Sequence, residues 1–172
     1  GGAWQPKEDL LFIDNKVRDL LSLPRRCNSA TQPWLWPDLP ENNTLTLRMS
    51  VTSDLALEGV HLALEHPERV EISVNGRRVE SRPDGWYVDE AIRTVPLPPI
   101  PAGETELLLT MPFSIQTAVE WCYLLGSFGV RLQGESRTLT ALPEKLGFDD
   151  VTRQGLPYYG GNITYCIPLT TE

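Results

Sequence analysis

The alternation of apolar and polar positions is sharpest between Val70 and Asp89. Val70, Ile72 and Val74 alternate with Glu71 and Ser73, the period of two that marks a strand with one buried face. Asn75-Gly76 follows, a pair that tolerates the two positive φ angles of a type I′ turn. Counting outward from a two-residue loop pairs Val74 with Arg77, Ser73 with Arg78 and Ile72 with Val79, so one apolar face runs through the turn. A β-hairpin is therefore expected, followed by a strand on which Trp86 and Tyr87 point to opposite faces.

The same period recurs along the chain. Leu45, Leu47, Met49 and Val51 share one face over Thr44 to Val51. After Leu55 and Leu57 the apolar phase slips by one residue to Val60, Leu62 and Leu64, which a β-bulge at Glu58-Gly59 would explain. Pro96, Pro98, Pro99 and Pro101 predict an edge or a strap, because proline cannot donate to a sheet ladder. Leu107, Leu109, Met111 and Phe113 form another face. Ala118 to Leu125 is apolar on both faces apart from Glu120, which predicts a strand covered on both sides in the middle of the core, with Trp121 buried there. Phe128, Val130 and Leu132 lead to Gly134-Glu135, a second hairpin signal, and Ile163, Tyr165 and Ile167 predict a last strand over Ile163 to Leu169.

Near the N-terminus the period becomes helical. Ile13, Val17, Leu20 and Leu21 fall on one stripe, with Asp14 as the expected N-cap and Pro24 ending the helix. Some eight short strands with one short N-terminal helix predict an all-β fold, an antiparallel β-sandwich of the jelly-roll kind. The length of 172 residues fits one domain. Within it, residues 1–40 are expected as an N-terminal segment, carrying the helix and a Trp-containing loop packed on the sandwich, and residues 41–172 as the sandwich itself.

Charge and composition narrow the function classes. An apolar content of 41% supports a sizeable core. A net charge of −8 argues against nucleic acid and anionic membrane as partners, both of which reward basic patches. No apolar run approaches the roughly 20 residues of a membrane helix, and no leader-like segment opens the sequence. Cys27, Cys122 and Cys166 are odd in number, lack C-x-x-C spacing and have only His61 and His66 to join them, so buried free thiols are expected rather than a zinc site. Asn42-Asn43-Thr44 and Asn162-Ile163-Thr164 match the glycosylation acceptor pattern, which is too short to establish modification.

The succession of the VNG hairpin, GWYVD and LPPIPAGETELLLTMPF resembles the galactose-binding-like β-sandwich modules appended to bacterial glycoside hydrolases. In those modules a strand–NG–strand hairpin precedes an aromatic-x-x-Asp corner and a glycine-turn strand. QGLPYYGGNITY is similar to the aromatic, glycine-marked strand start of sugar-binding domains in enzymes of the β-galactosidase and rhamnosidase type. The resemblance covers roughly Val70 to Leu169. It implies a galactose-binding-like sandwich, a parent enzyme with its own catalytic domain as partner, and a secreted or cell-surface bacterial setting, the localisation itself staying unknown. A catalytic barrel does not fit in 172 residues, and the N-terminal helix and WLW loop have no counterpart in those modules.

Sugar binding needs flat aromatic faces for the C–H side of a pyranose, with amides, carboxylates or guanidinium groups for its hydroxyls. Trp34 and Trp36 lie two apart among prolines that keep the backbone extended, and either clamp the loop to the sandwich or present their faces to a ligand. Tyr158 and Tyr159 lie in a glycine-flanked loop, where one is expected to pack and the other to face outward. Together with Trp86, these five aromatics are the candidate ligand-binding residues. Glu120, an acid within an apolar run, is expected to pair with an arginine such as Arg131. Asp149-Asp150 is weak support for a structural Ca²⁺, and no cofactor is otherwise expected. No Ser/His/Asp order, phosphate loop or histidine metal motif is present.

These features predict a non-catalytic carbohydrate-binding module of a larger bacterial glycoside hydrolase, binding an oligo- or polysaccharide through loop aromatics. The alternative is a structural β-sandwich that supports such an enzyme without binding sugar. A third reading, a hydrolase using Glu120 with Asp149 or Asp150, would require two carboxylates held across a cleft.

Overall fold

The structure, a computed structural model, describes residues 2–26 and 41–170. In chain order its elements are helix α1 (Leu10–Leu20) and strands β1 (Asn43–Ser53), β2 (His61–Glu65), β3 (Glu71–Val74), β4 (Arg77–Val79), β5 (Gly85–Tyr87), β6 (Asp89–Pro96), β7 (Gly103–Phe113), β8 (Tyr123–Leu125), β9 (Gly129–Gln133) and β10 (Ser136–Thr140). A six-stranded sheet has the order β4-β3-β7-β1-β10-β9, and a four-stranded sheet the order β5-β6-β2-β8. Every pairing between these strands is antiparallel except β1 with β10, which is parallel through Thr52 with Thr138 and Ser53 with Leu139.

The two sheets face each other across one core. Leu62, Leu64 and Val95 of the four-stranded sheet are buried against Ile72, Val74, Leu107, Leu109 and Leu139 of the six-stranded one. Burying side chains of this size contributes about 1.5 to 3 kcal/mol each. The spine of the larger sheet is β1 against β7, continuous from Asn43 with Phe113 to Ser53 with Gly103. On its outer face Thr46 and Thr110 exchange a 3.0 Å hydroxyl contact, and the Arg48 guanidinium lies 4.4 Å from the Trp4 ring centroid.

The hairpin has the register that the sequence implies: Ile72 opposes Val79, Ser73 opposes Arg78 and Val74 opposes Arg77. Asn75 and Gly76 both have positive φ, 48° and 75°, as a type I′ turn requires. At the second hairpin Gly134 has φ 58°, and Gln133 opposes Ser136. The prolines divide as their chemistry dictates. Pro96 ends the inner strand β6, and residues 97–101 form a strap whose Leu97 and Ile100 turn into the core, with Ile100 bridging Leu57.

Several expectations are corrected. The phase slip near Glu58-Gly59 is a break between β1 and β2 rather than a bulge in one strand, with Gly59 at φ 64° and the Val60 carbonyl accepting from Leu97 N–H. Residues 118–122 form no strand; pairing begins only at Tyr123, in the short edge strand β8. Val119 is buried and Cys122 half-buried, so this apolar run covers the core end as irregular chain and leaves Trp121 outside. Ile163 to Leu169 also joins no sheet, and Leu169 is 85% exposed. There Tyr165 donates to the Gly147 carbonyl and its ring lies 4.3 Å from that of Phe148, but neighbouring backbone has no strand partner. Of the cysteines, Cys166 is exposed rather than buried, Cys122 is half-buried, and Cys27 lies outside the described residues.

Helix α1 begins one turn earlier than expected. Asp9, not Asp14, is the N-cap and accepts from Phe12 N–H. Ser22 at φ 57° and a Leu23 N–H bond to the Arg18 carbonyl close the other end before Pro24. The most inward positions are polar: Asp14 and Arg18 are fully buried, Ile13, Val17 and Leu21 of the expected stripe are half-buried, and Leu11, Phe12 and Leu20 face outward. Arg18 donates to the Ile115 and Thr117 carbonyls at 3.0 and 2.6 Å, and its guanidinium lies 5.7 Å from the Phe113 ring centroid. The helix is thereby attached to the turn that follows β7.

Candidate functional site

The turn that holds α1 also shapes one end of the sandwich. Ser114 N–H bonds the Thr117 hydroxyl, Gln116 N–H bonds the Ser114 hydroxyl, and the chain then crosses the core end as residues 118–122. Beneath that crossing is a cavity of about 240 Å³. Its floor is apolar, formed by Leu47, Leu64, Leu109 and Val119, and its rim carries Gln116, Glu120, Trp121, His66 and Arg69. Trp121 is 65% exposed at this rim. It is therefore a surface ring, contrary to its expected place in the core, because no neighbouring strand pairs with the segment that carries it.

The charged groups of the rim are held in pairs. Glu120 accepts from Arg26 at 2.7 Å and not from Arg131, which instead forks onto Asp54 at 2.7 and 3.1 Å. Glu120 is half-exposed, so the solvent that a buried strand would deny it remains available. Arg69 donates to Glu41. The Glu68 carboxyl is held below its ordinary value, first by its own backbone N–H and then by the His66 imidazole 3.1 Å away. His66 has φ 49°, an uncommon left-handed backbone for a non-glycine residue, which directs the chain from β2 into the 3₁₀ turn Pro67–Arg69. Burial pushes the Cys122 thiol up, so on the cavity wall it remains a protonated, apolar-like group.

The aromatics proposed from sequence are distributed over separate edges. Trp86, 57% exposed, opposes Arg93 on edge strand β5, and Arg93 in turn opposes Leu64. Trp121 precedes β8, the other edge of that sheet, three strand spacings or about 14 Å from β5. Tyr87 spans part of this width and meets Tyr123 ring to ring at 5.4 Å. Tyr158 and Tyr159 both face outward, so neither packs in the way expected of one of them. The Tyr158 hydroxyl accepts from Arg137 of β10 at 2.9 Å, and Tyr159 donates to the Asn162 carbonyl. Because β8 passes to β9 through residues 126–128, the β10-β9 side lies by β8 and away from β5. Trp86 and the tyrosine pair are thus not brought into one site. Trp34 and Trp36 lie outside the described residues.

Asp149 and Asp150 face donors of their own chain. Asp150 accepts from the Thr152 N–H and hydroxyl at 2.9 and 2.7 Å, which hold its carboxyl below the usual range, and Asp149 accepts from the Asp150 N–H. Among the described residues no three His, Cys, Asp or Glu side chains converge as a metal site.

Trp121 is the residue that sequence reasoning missed. The signal available was Glu120 beside it, since a carboxylate marks a position where water reaches the chain. Compared with known proteins, the sequence matches no family model and no curated relative.

Proposed function

We propose that the chain is a galactose-binding-like sandwich of the jelly-roll kind that acts as a non-catalytic carbohydrate-binding module of a larger bacterial glycoside hydrolase. The observation supporting this reading is Trp121, an exposed indole at the rim of a cavity with an apolar floor and polar edges. An indole face suits the C–H side of a pyranose, and the Gln116 amide and Glu120 carboxylate suit its hydroxyls. Since Glu120 and Arg69 are paired with opposite charges, the rim offers hydrogen-bonding groups without a strong net field.

A glycan array on the chain, followed by calorimetry on the best ligand, tests the reading. Saturable binding that Trp121→Ala weakens supports it. No saturable binding to any plant or host glycan at millimolar concentration removes it. The structural accessory module then takes its place, a second reading favoured by the exposed, unpaired Ile163–Leu169 segment, which offers Ile167 and Leu169 to the catalytic domain of a parent enzyme.

A further inference from the structure

The cavity shares part of its lining with a second pocket. Arg69, Val70, Met111 and Pro112 form one of its walls and also one wall of a second, larger groove of about 710 Å³. The registers place this groove. Glu71 opposes Thr110, which opposes Thr46, and Pro112 opposes Thr44, so the groove follows the outer face of the six-stranded sheet at the strand ends. It crosses β4, β3, β7 and β1, three strand spacings or about 14 Å. The hydroxyls of Thr44, Thr110 and Ser81 line it together with the charged side chains of Glu71, Glu80 and Arg78.

The geometry points to a binding path for a neutral oligosaccharide, one sugar at Trp121 and the following sugars passing Arg69 into the outer-face groove. This rests on the carbohydrate-binding reading and specifies its ligand class. Length is the first argument: the cavity alone is below the volume of an ordinary small-molecule pocket, about 300 Å³ or more, whereas the groove that shares Arg69, Val70, Met111 and Pro112 with it has room for several linked rings. Charge is the second. The two guanidinium groups along the path already have carboxylate neighbours, Arg69 with Glu41 and Arg78 with Glu71 at 3.5 Å. Glu80 is likewise paired, with Arg82 at 2.8 Å, and Glu68 adds further negative charge to the groove, so a uronate chain would meet repulsion while uncharged hydroxyls would meet donors and acceptors.

The test is calorimetry with cello-, xylo- and β-1,4-galacto-oligosaccharides from mono- to hexasaccharide, with galacturonate oligomers alongside. The inference expects at least one neutral series to gain tenfold or more in affinity from its monosaccharide to its hexasaccharide, with galacturonates weaker throughout. The exposed double variant Glu71→Ala/Arg78→Ala should cut that ratio severalfold, with circular dichroism confirming the fold. A monosaccharide that binds as tightly as its longer chains overturns the groove while sparing the Trp121 site. Galacturonates that bind more tightly than neutral chains overturn the neutral class. Absence of binding by every oligomer overturns the groove, and the glycan array then decides separately whether the carbohydrate reading stands.

Discussion

Arg18 stands one helical turn after Asp14 with its Nε 3.0 Å from the carboxylate, and both side chains are essentially inaccessible to water. Arg26 approaches the same carboxylate oxygen at 3.6 Å and reaches on to Glu120, so the helix, the segment after it and the rim of the cavity share one polar network. Asp14 Oδ1 has no hydrogen-bond partner among the described residues, so this carboxylate depends on its cations.

Removing one member of that pair should be worse than removing both. Arg18→Met leaves a buried carboxylate without its main partner and should cost about 3 to 5 kcal/mol, whereas Asp14→Leu/Arg18→Met should recover much of the loss. Denaturant melts of the two variants give the comparison. A single variant as stable as wild type would show that the pair is not buried in solution. Glu120→Gln should cost less than about 1 kcal/mol, because the Arg26–Glu120 bridge is half-exposed.

Gly76 at φ 75° has open space where a Cβ would stand, so substitution there is opposed by backbone conformation rather than by a clash. Gly76→Val should cost about 1 to 2 kcal/mol, the penalty of a left-handed backbone for an L-residue, increased by β-branching. Unchanged stability in urea would show that the turn relaxes to another type.

Acid stability should follow the depressed carboxyls, Asp84 and Asp54 among them. Asp84 is held below its ordinary value by the Thr94 hydroxyl at 2.7 Å and then by His61 at 2.9 Å, and Asp54 by the Arg131 fork. A carboxyl depressed in the folded state adds stability that is fully present above the unfolded value, about pH 3.9, and is lost as pH falls through the lower folded value. The melting temperature should therefore decline below about pH 4, and Asp84→Asn should flatten that decline. A variant with the wild-type acid slope would exclude Asp84 as a contributor. The effect should be small, since both groups are solvent-exposed.

The sandwich was legible wherever a local rule decides the outcome. Asn75-Gly76 sets its own register, and the alternation of β1 and β7 records one buried face. The errors fall where apolar content and pairing separate. Residues 118–122 carry the composition of an inner strand yet cover the core without a partner strand, and Ile163 to Leu169 has strand periodicity but joins no sheet. Periodicity reports which side chains avoid water, while pairing depends on what lies beside them. On α1 the same limit shifted the inward face: Ile13, Val17 and Leu21 of the apolar stripe are half-buried, but the most buried positions are Asp14 and Arg18, because carbonyls of the Ile115–Thr117 turn need donors and Arg18 supplies them. The candidate site was the least legible, because the cavity is made by residues from β1, β2, β7 and the 116–122 crossing, which no single stretch of sequence displays.

The choice among the aromatics is open to direct measurement. Trp121 borders the cavity, while Trp86 lies on the opposite edge of its sheet and Tyr158 is engaged by Arg137 beside the other sheet's edge. Aromatic stacking contributes about 0.5 to 1.5 kcal/mol beyond area burial, so Trp121→Ala should weaken glycan binding by roughly threefold to tenfold. Its melting temperature should change little, because an exposed ring adds little to the core. Trp86→Ala and Tyr158→Ala should retain wild-type affinity if Trp121 is the platform. The stacking contact is uncharged and the rim charges are paired, so affinity should hold nearly constant between low and high salt. Loss of binding in Trp86→Ala with full binding in Trp121→Ala would move the site to the β5 edge.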